Sequence, residues 1–206
     1  MRKVVLIGCS GHAYVVAEIL NRLGRLLAGY CDLEPRPGNY LGIPFLGHEI
    51  SEEGLEHLRD NDYFVAIGDN YRRQQVTESL AERGVSVPLS IRHPDAVVSS
   101  SVDIGAGSMV GPSSMINPFV RIGDGVICNT GCIVEHECVV GDFAHIAPGA
   151  VLAGNVRVGE FSFVGANAVV KEGLNIGANC VIGAGSVIIR NLPDGAKVVG
   201  NPGRIL

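Results

Sequence analysis

The chain has 206 residues, enough for one elongated domain and a smaller one. Its formal net charge is -5, it has no basic stretch and only 5% of its residues are aromatic. These values argue against a phosphate-tracking groove or a base-stacking platform for nucleic acid. The apolar run after Met1-Arg2-Lys3 is too short for a signal peptide or a membrane span, so the sequence predicts a cytoplasmic protein.

Residues 1–93 have the pattern of an α/β domain. A Gly-rich turn follows the first apolar run, and helical periodicity follows the turn, which is typical of a βαβ opening. The sequence therefore predicts a Rossmann-like domain that ends at His93-Pro94. We expect its strands at 3–8, 26–31, 63–68 and 85–91 and its main helices at 13–23 and 71–83.

The turn after the first strand is a candidate anion site. It reads Gly8-Cys9-Ser10-Gly11-His12, which is less than a full G-x-G-x-x-G motif, and the acidic residue Asp32 follows about 20 residues on. Free N–H groups at a helix N-terminus attract phosphate, and Ser10, Gly11 and His12 would line such a site. A tight turn without a ligand explains the spacing equally well.

Residues 94–206 are dominated by a repeat of six residues. From Val98 to Ile188 every sixth residue is aliphatic except Cys128, and a second series four residues later consists mostly of small side chains. Two inward positions per hexad, one bulky and one compact, predict a parallel β-helix. Three hexads make a coil of 18 residues, so we expect about five coils. Glycine often follows the aliphatic residue, and there we expect the corners.

The cysteines of the repeat fall on its inward positions. Cys128, Cys132, Cys138 and Cys180 all do so, and the sequence has no Cys-x-x-Cys pair. We interpret these four residues as small buried packing residues rather than as metal ligands.

Three features of the repeat could carry chemistry. The segment Glu135-His136-Glu137 presents a histidine between two carboxylates, and a carboxylate can fix the imidazole tautomer of a general base. Gly154 follows His136 by one coil of 18 residues, so it should stack beside the histidine with a backbone N–H suited to an oxyanion. An ordinary surface histidine and a corner glycine remain the simpler alternatives.

His145 is the third feature. It follows His136 by nine residues, half a coil, which separates the two side chains too far for contact within one chain. If both serve one site, they come from different subunits of a symmetric oligomer. A zinc enzyme on this scaffold would need three histidines, and only these two lie inside the coils, with His93 just before them.

The whole chain resembles the PglD/NeuD-like sugar acyltransferases. The resemblance is carried by separate motifs in the same order: 7–12 (IGCSGH), 66–73 (AIGDNYRR), 134–141 (VEHECVVG) and 200–202 (GNP). It implies a nucleotide-sugar-binding domain over 1–93 and a left-handed β-helix acyltransferase domain with its tail over 94–206. Left-handedness would break the usual rule for parallel crossovers.

The resemblance also implies roles for individual residues. His136 would be the general base, oriented by Glu137, with direct attack on acetyl-CoA and no acyl-enzyme. Where such family members carry two acidic residues after the second strand, this chain has Asp32-Leu33. Coenzyme A would contact Gly154, His145 of a neighbouring subunit, Ala166 and Ala184, and the nucleotide would contact Ser10, Gly11, His12, Asp32, Gly68 and Arg73.

The implied activity is N-acetylation of a nucleotide-linked 4-amino-4,6-dideoxy sugar, favoured as UDP-linked, by a homotrimer that needs no metal. O-acetylation of a sialic-acid-like sugar is the alternative within the enzyme class. A non-catalytic protein that binds nucleotide sugars is the alternative from another class.

Overall fold

The computed structural model describes residues 2–206 and divides them into two units. The first ends at Pro94 and the second is Asp95–Leu206, so the division lies one residue after the boundary expected from sequence. Within residues 2–206, no helix is long and apolar enough to cross a membrane.

The first unit is built around a three-stranded parallel sheet in the order β2 (Leu27–Cys31), β1 (Val4–Ile7) and β3 (Asp62–Val65). All four residues of the central strand β1 are buried, as expected for a strand with a neighbour on either side. Caps start two of the helices: Ser51 accepts from the N–H of Gly54, and Asp69 accepts from the N–H of Arg72. The elements are β1 (Val4–Ile7), α1 (Gly11–Arg22), β2 (Leu27–Cys31), α2 (Glu52–Asp60), β3 (Asp62–Val65), α3 (Asn70–Glu82) and the short β4 (Ile91–Arg92).

The prediction of a strand at 85–91 is wrong. The segment before Ile91 is not a strand, and the backbone bond that ties it to the sheet runs from Leu89 N–H to the Tyr63 carbonyl at 2.9 Å. Pro88 lies in its middle and has no N–H to donate, so the apolar pattern cannot be extended into a sheet ladder.

The second unit is a parallel β-helix of two-residue strands, as the hexads predict. Each strand pairs with the strand 18 residues later; Val134, for example, pairs with Leu152. On each of the three faces, every third strand along the chain stacks on the one before it. The bounds are β5 (Val97–Val98), β6 (Asp103–Ile104), β7 (Met109–Val110), β8 (Met115–Ile116), β9 (Arg121–Ile122), β10 (Ile127–Cys128), β11 (Ile133–Val134), β12 (Val139–Val140), β13 (His145–Ile146), β14 (Val151–Leu152), β15 (Arg157–Val158), β16 (Phe163–Val164), β17 (Val169–Val170), β18 (Asn175–Ile176), β19 (Val181–Ile182) and β20 (Val187–Ile188).

The repeat from Val98 to Ile188 spans about five coils, as expected, and the β-helix as a whole has about six turns. Six strands stack on one face, and six strands bound five intervals of 18 residues. After the last coil, β21 (Lys197–Val199) continues another face, and β22 (Arg204–Ile205) pairs with it antiparallel.

Both inward series form the core of the helix. The bulky series and the cysteines are buried in one continuous cluster. The small inward position also makes hydrogen bonds: the hydroxyls of Ser108, Ser114 and Ser162 each donate to a carbonyl 15 residues later, at 2.7 to 2.8 Å. The thiol of Cys138 makes the equivalent contact with the Ala153 carbonyl at 3.1 Å. Serine and cysteine therefore satisfy buried carbonyls there as well as filling space.

The corners lie elsewhere in the hexad than the sequence suggests. Every sixth residue from Gly107 to Gly185 has a positive φ, and this residue is the third after the inward aliphatic, not the first. Glycine is required directly after the aliphatic residue for a different reason. A Cβ on Gly159, for instance, would lie 2.4 Å from the backbone nitrogen of Ala178 in the next coil. Close stacking of the coils, not a left-handed conformation, requires these glycines.

Candidate functional site

His136 and Glu137 form an exposed pair at a corner of the β-helix after β11. Glu137 is the residue with positive φ at that corner, +62°, and its Oε2 lies 3.0 Å from Nδ1 of His136. The two side chains are 58% and 62% exposed. In the tautomer that carries its proton on Nδ1, this atom donates to the carboxylate and Nε2 keeps its lone pair.

Gly154 lies against the ring of His136 in the next coil. A Cβ on Gly154 would lie 2.6 Å from Cε1 and 2.7 Å from Nε2, and the neighbouring Asn155 N–H donates to the His136 carbonyl at 2.8 Å. Only glycine therefore leaves the imidazole in this position. Within residues 2–206, no group accepts a hydrogen bond from the Gly154 N–H.

His145 has an outward position in the hexad but is buried. Asn129 Nδ2 lies 3.1 Å from its Nε2, and the ring of Phe163 meets it edge-on at 5.0 Å between centroids. Sequence reasoning missed both partners. Phe163 follows His145 by 18 residues, so the coil register carried the signal for that contact.

Ala166 and Ala184 lie on stacked corners, one coil apart. Gly185 N–H donates to the Ala166 carbonyl at 2.8 Å, while the N–H groups of both alanines meet no acceptor among the described residues. Other corners differ: Ala106 N–H donates to the Asp124 carboxylate at 2.7 Å, 18 residues later. Ala166 and Ala184 therefore offer free backbone donors for a ligand.

The first unit contains a cavity of about 300 Å³ at the carboxyl ends of β1 and β2. Asp32 lines it and is held by hydrogen bonds from Cys9 N–H at 3.3 Å, Leu33 N–H at 2.8 Å and the guanidinium of Arg36 at 2.7 Å. Burial alone would raise the pKa of Asp32, but the bonds from Arg36 and the backbone outweigh it and lower the pKa.

The other predicted nucleotide residues divide into two groups. Ser10 and Gly68 line the cavity, whereas Gly11 and His12 are absent from its lining. Nε2 of His12 is buried without a hydrogen-bond partner within residues 2–206. Burial and the charge of Arg73 lower the pKa of His12 to about 4, so this ring is neutral at physiological pH.

Arg73 is buried beside the cavity and does not line it. Its guanidinium donates to the carbonyls of Ile67 and Gly68 at 2.9 and 3.2 Å and to Asn70 Oδ1 at 2.9 Å. These bonds fix the loop after β3. The cavity is lined by the preceding residue, Arg72, which the sequence analysis did not single out.

Glu49 is a second cavity residue that no sequence motif marks. Its side chain is 5% exposed, and it lines this cavity together with a second cavity of about 260 Å³. The loop between β2 and α2 has no regular hydrophobic period, so no pattern marks this glutamate.

The six cysteines are free thiols, and all of them are buried. Burial raises the pKa of Cys31 to about 12 and that of Cys138 to about 11. Among residues 2–206, no group of three or more His, Cys, Asp or Glu side chains could hold a metal ion.

Comparison with known proteins agrees with both units. Residues 3–80 match the family model of the PglD N-terminal domain, and residues 155–190 match that of the bacterial transferase hexapeptide. A curated relative from Bacillus subtilis, UDP-N-acetylbacillosamine N-acetyltransferase, is 34% identical over 53% of this chain. The match covers 51% of that protein, about half its length.

Solved structures match the full chain. The acetyltransferase domain of PglB from Neisseria gonorrhoeae is 39% identical with a TM-score of 0.90 over 100% of both chains, and it has also been solved with acetyl coenzyme A. PerB from Caulobacter crescentus, solved with CoA and GDP-perosamine, is 41% identical with a TM-score of 0.91 over 99% of this chain and 97% of its own. The chain therefore belongs to the PglD/NeuD-like sugar acyltransferases, which join an α/β N-terminal domain to a left-handed β-helix of hexapeptide repeats.

Proposed function

We propose that the protein transfers the acetyl group of acetyl-CoA to the 4-amino group of a nucleotide-linked 4-amino-4,6-dideoxy sugar. The N-terminal unit binds the nucleotide, and the β-helix carries the transfer. The enzyme works in the cytoplasm as a homotrimer without a metal. The relatives support this reaction: one is named an N-acetyltransferase, and others were solved with acetyl coenzyme A or with CoA and GDP-perosamine.

The observation that carries the proposal is the arrangement of His136, Glu137 and Gly154. One carboxylate oxygen lies 3.0 Å from Nδ1 of the histidine, and a glycine whose N–H meets no acceptor among residues 2–206 lies against the other side of the ring. A base beside an unpaired backbone donor is what acyl transfer to an amine needs.

The mechanism follows from these groups. The neutral amine attacks the thioester carbonyl, and Nε2 of His136 accepts the proton that the nitrogen loses as the C–N bond forms. The Gly154 N–H donates to the oxyanion of the tetrahedral intermediate. When the C–S bond breaks, the imidazolium returns its proton to the leaving thiolate. Glu137 holds the tautomer at the start and stabilises the imidazolium in between.

The remaining predicted residues bind the two substrates. The N–H groups of Ala166 and Ala184, which meet no acceptor within the described part of the chain, donate to the pantetheine arm. His145 of the partner subunit lies near the thioester. The nucleotide is held in the cavity by Ser10, Asp32 and Gly68, while Gly11 and His12 act from behind it, through the turn that begins α1, and Arg73 acts through the loop that it fixes.

The test is an acetylation assay on nucleotide-linked amino sugars with His136→Ala. We expect loss of turnover with nucleotide-sugar binding retained. Unchanged turnover would overturn the role of His136. Acetylation of hydroxyls but not amines would favour the O-acetyltransferase alternative, and binding without acetylation of any sugar by the unaltered enzyme would favour the non-catalytic one.

A further inference from the structure

Glu49 is a buried carboxylate at the junction of two cavities. It lines both, as do Leu33 and Arg72, so the two spaces of about 300 and 260 Å³ share one wall. Its side chain is only 5% exposed, and what is exposed faces these spaces. A buried glutamate is costly unless its charge is paired and its oxygens accept hydrogen bonds.

The protein leaves the hydrogen-bonding capacity of this carboxylate unused. Oε2 lies 3.6 Å from Nδ1 of His48, and Oε1 lies 3.8 Å from Nη2 of Arg72. Both distances exceed a hydrogen bond, so the guanidinium of Arg72 pairs with the charge of Glu49 at longer range and leaves its two oxygens without a direct donor among residues 2–206. Two neighbouring acceptor oxygens are therefore available to a ligand with two neighbouring donors.

The order of groups along the cavities places the base of a nucleotide beside Glu49. In a βαβ nucleotide site the phosphates lie at the first helix N-terminus and the ribose lies by the acidic residue after the second strand. Those positions are Ser10 and Asp32, and both line the first cavity only. Beyond Asp32, the wall continues through Leu33 and Glu49 into the second cavity, where Ile50 and Val76 provide apolar surface for a ring.

We infer that the protein selects a guanosine-linked sugar through Glu49, an inference that rests on the proposed function. Guanine presents N1–H and the 2-amino group side by side, which matches the two oxygens of one carboxylate. Uracil and thymine present a single N–H between two carbonyls, and their carbonyl oxygens would face the carboxylate charge. A site built for donors rejects bases that lack them, because its buried acceptors are left unpaired. A guanosine-linked substrate differs from the UDP-linked sugar that the family resemblance favours.

The experiment is isothermal titration of the full chain with GDP, UDP, dTDP and IDP. The unaltered protein should bind GDP at least about 10-fold more tightly than UDP or dTDP. IDP lacks the 2-amino group of guanine and should bind about 10-fold more weakly than GDP. The IDP comparison needs no substitution, so it tests the inference even where a variant fails to fold.

Glu49→Gln keeps the size of the side chain and replaces one acceptor oxygen with a donor. It should reduce the preference for GDP over UDP at least about 10-fold, whereas Glu52→Gln, which removes an exposed charge from the start of α2, should leave it unchanged. Tighter binding of UDP or dTDP than of GDP, or an unaltered preference in Glu49→Gln, would overturn the role of Glu49. The proposed function would survive either result, provided that the preferred sugar is acetylated. Failure of all four nucleotides to bind would overturn both.

Discussion

Substituting Gly154 by alanine tests the acyl-transfer site through a single methyl group. The new Cβ would lie 2.6 Å from Cε1 of His136, while ordinary contact begins near 3.4 Å. The imidazole must therefore retreat by about 0.8 Å from its place beside the Gly154 N–H. A misplacement of about 1 Å costs about 100-fold in rate, so we expect kcat/KM to fall roughly 100-fold, or about 2.7 kcal/mol.

The same substitution should leave the fold nearly intact. Gly154 does not have a left-handed φ, so alanine brings no backbone strain, and the His136 side chain is 58% exposed and free to move. The melting temperature should change by only a few degrees, since an off-rotamer side chain costs about 1 kcal/mol.

A double-mutant cycle separates displacement of the base from other effects. The assay measures acetyl-CoA-dependent acetylation for the unaltered enzyme, Gly154→Ala, His136→Ala and the double variant. If the methyl acts by displacing the imidazole, Gly154→Ala should cost little further rate once His136 is absent. An equal loss in both backgrounds, or full activity of Gly154→Ala, would show that the methyl group does not act by displacing His136.

Three further predictions use other groups. Glu137→Gln should lower kcat about 10-fold, because the amide can still accept from Nδ1 of His136 but has no charge to stabilise the imidazolium, whereas Glu135→Gln should leave kcat unchanged. Equal effects of the two substitutions in a rate assay would contradict the orienting role. Folding lowers the pKa of His12 from 6.5 to about 4, so between these pH values the unfolded state binds a proton that the folded state does not. The free energy of unfolding should therefore fall by about 3 kcal/mol as the pH falls from 6.5 to 4. Urea titrations across that range should show that the free energy of unfolding of His12→Gln depends less on pH. An unchanged pH dependence in this variant would contradict the role of His12. Finally, a thiol reagent should label none of the six buried cysteines in the native protein and all six after denaturation; rapid native labelling would contradict their burial.

The β-helix could be predicted closely from the sequence because its six-residue period follows directly from the geometry of the coil. One count of six located the core, and one count of 18 placed Gly154 beside His136. The corner chemistry was harder to predict. Glycines after the aliphatic looked like turn residues, and only the distances between coils show that they make room for the next backbone.

The N-terminal unit was less predictable because its site depends on loops. Pro88 removed a predicted strand through one missing N–H. Arg72 and Arg73 are adjacent in sequence, and helix geometry directs one to the cavity and the other into the loop. Glu49 lies in a segment without a period, so its burial could be found only in three dimensions.

The corner N–H groups of Ala166 and Ala184, which meet no acceptor among residues 2–206, have a consequence for how such a site could be lost or gained in evolution. The Ala106 N–H donates to the carboxylate of Asp124, 18 residues later. The residue 18 positions after Ala166 is Ala184, which has no side-chain acceptor. A single change, Ala184→Asp, would place an acceptor over Ala166, as Asp124 does over Ala106. Descendants of this β-helix could thus gain or lose a ligand-binding edge one corner at a time, without altering any residue of the interior.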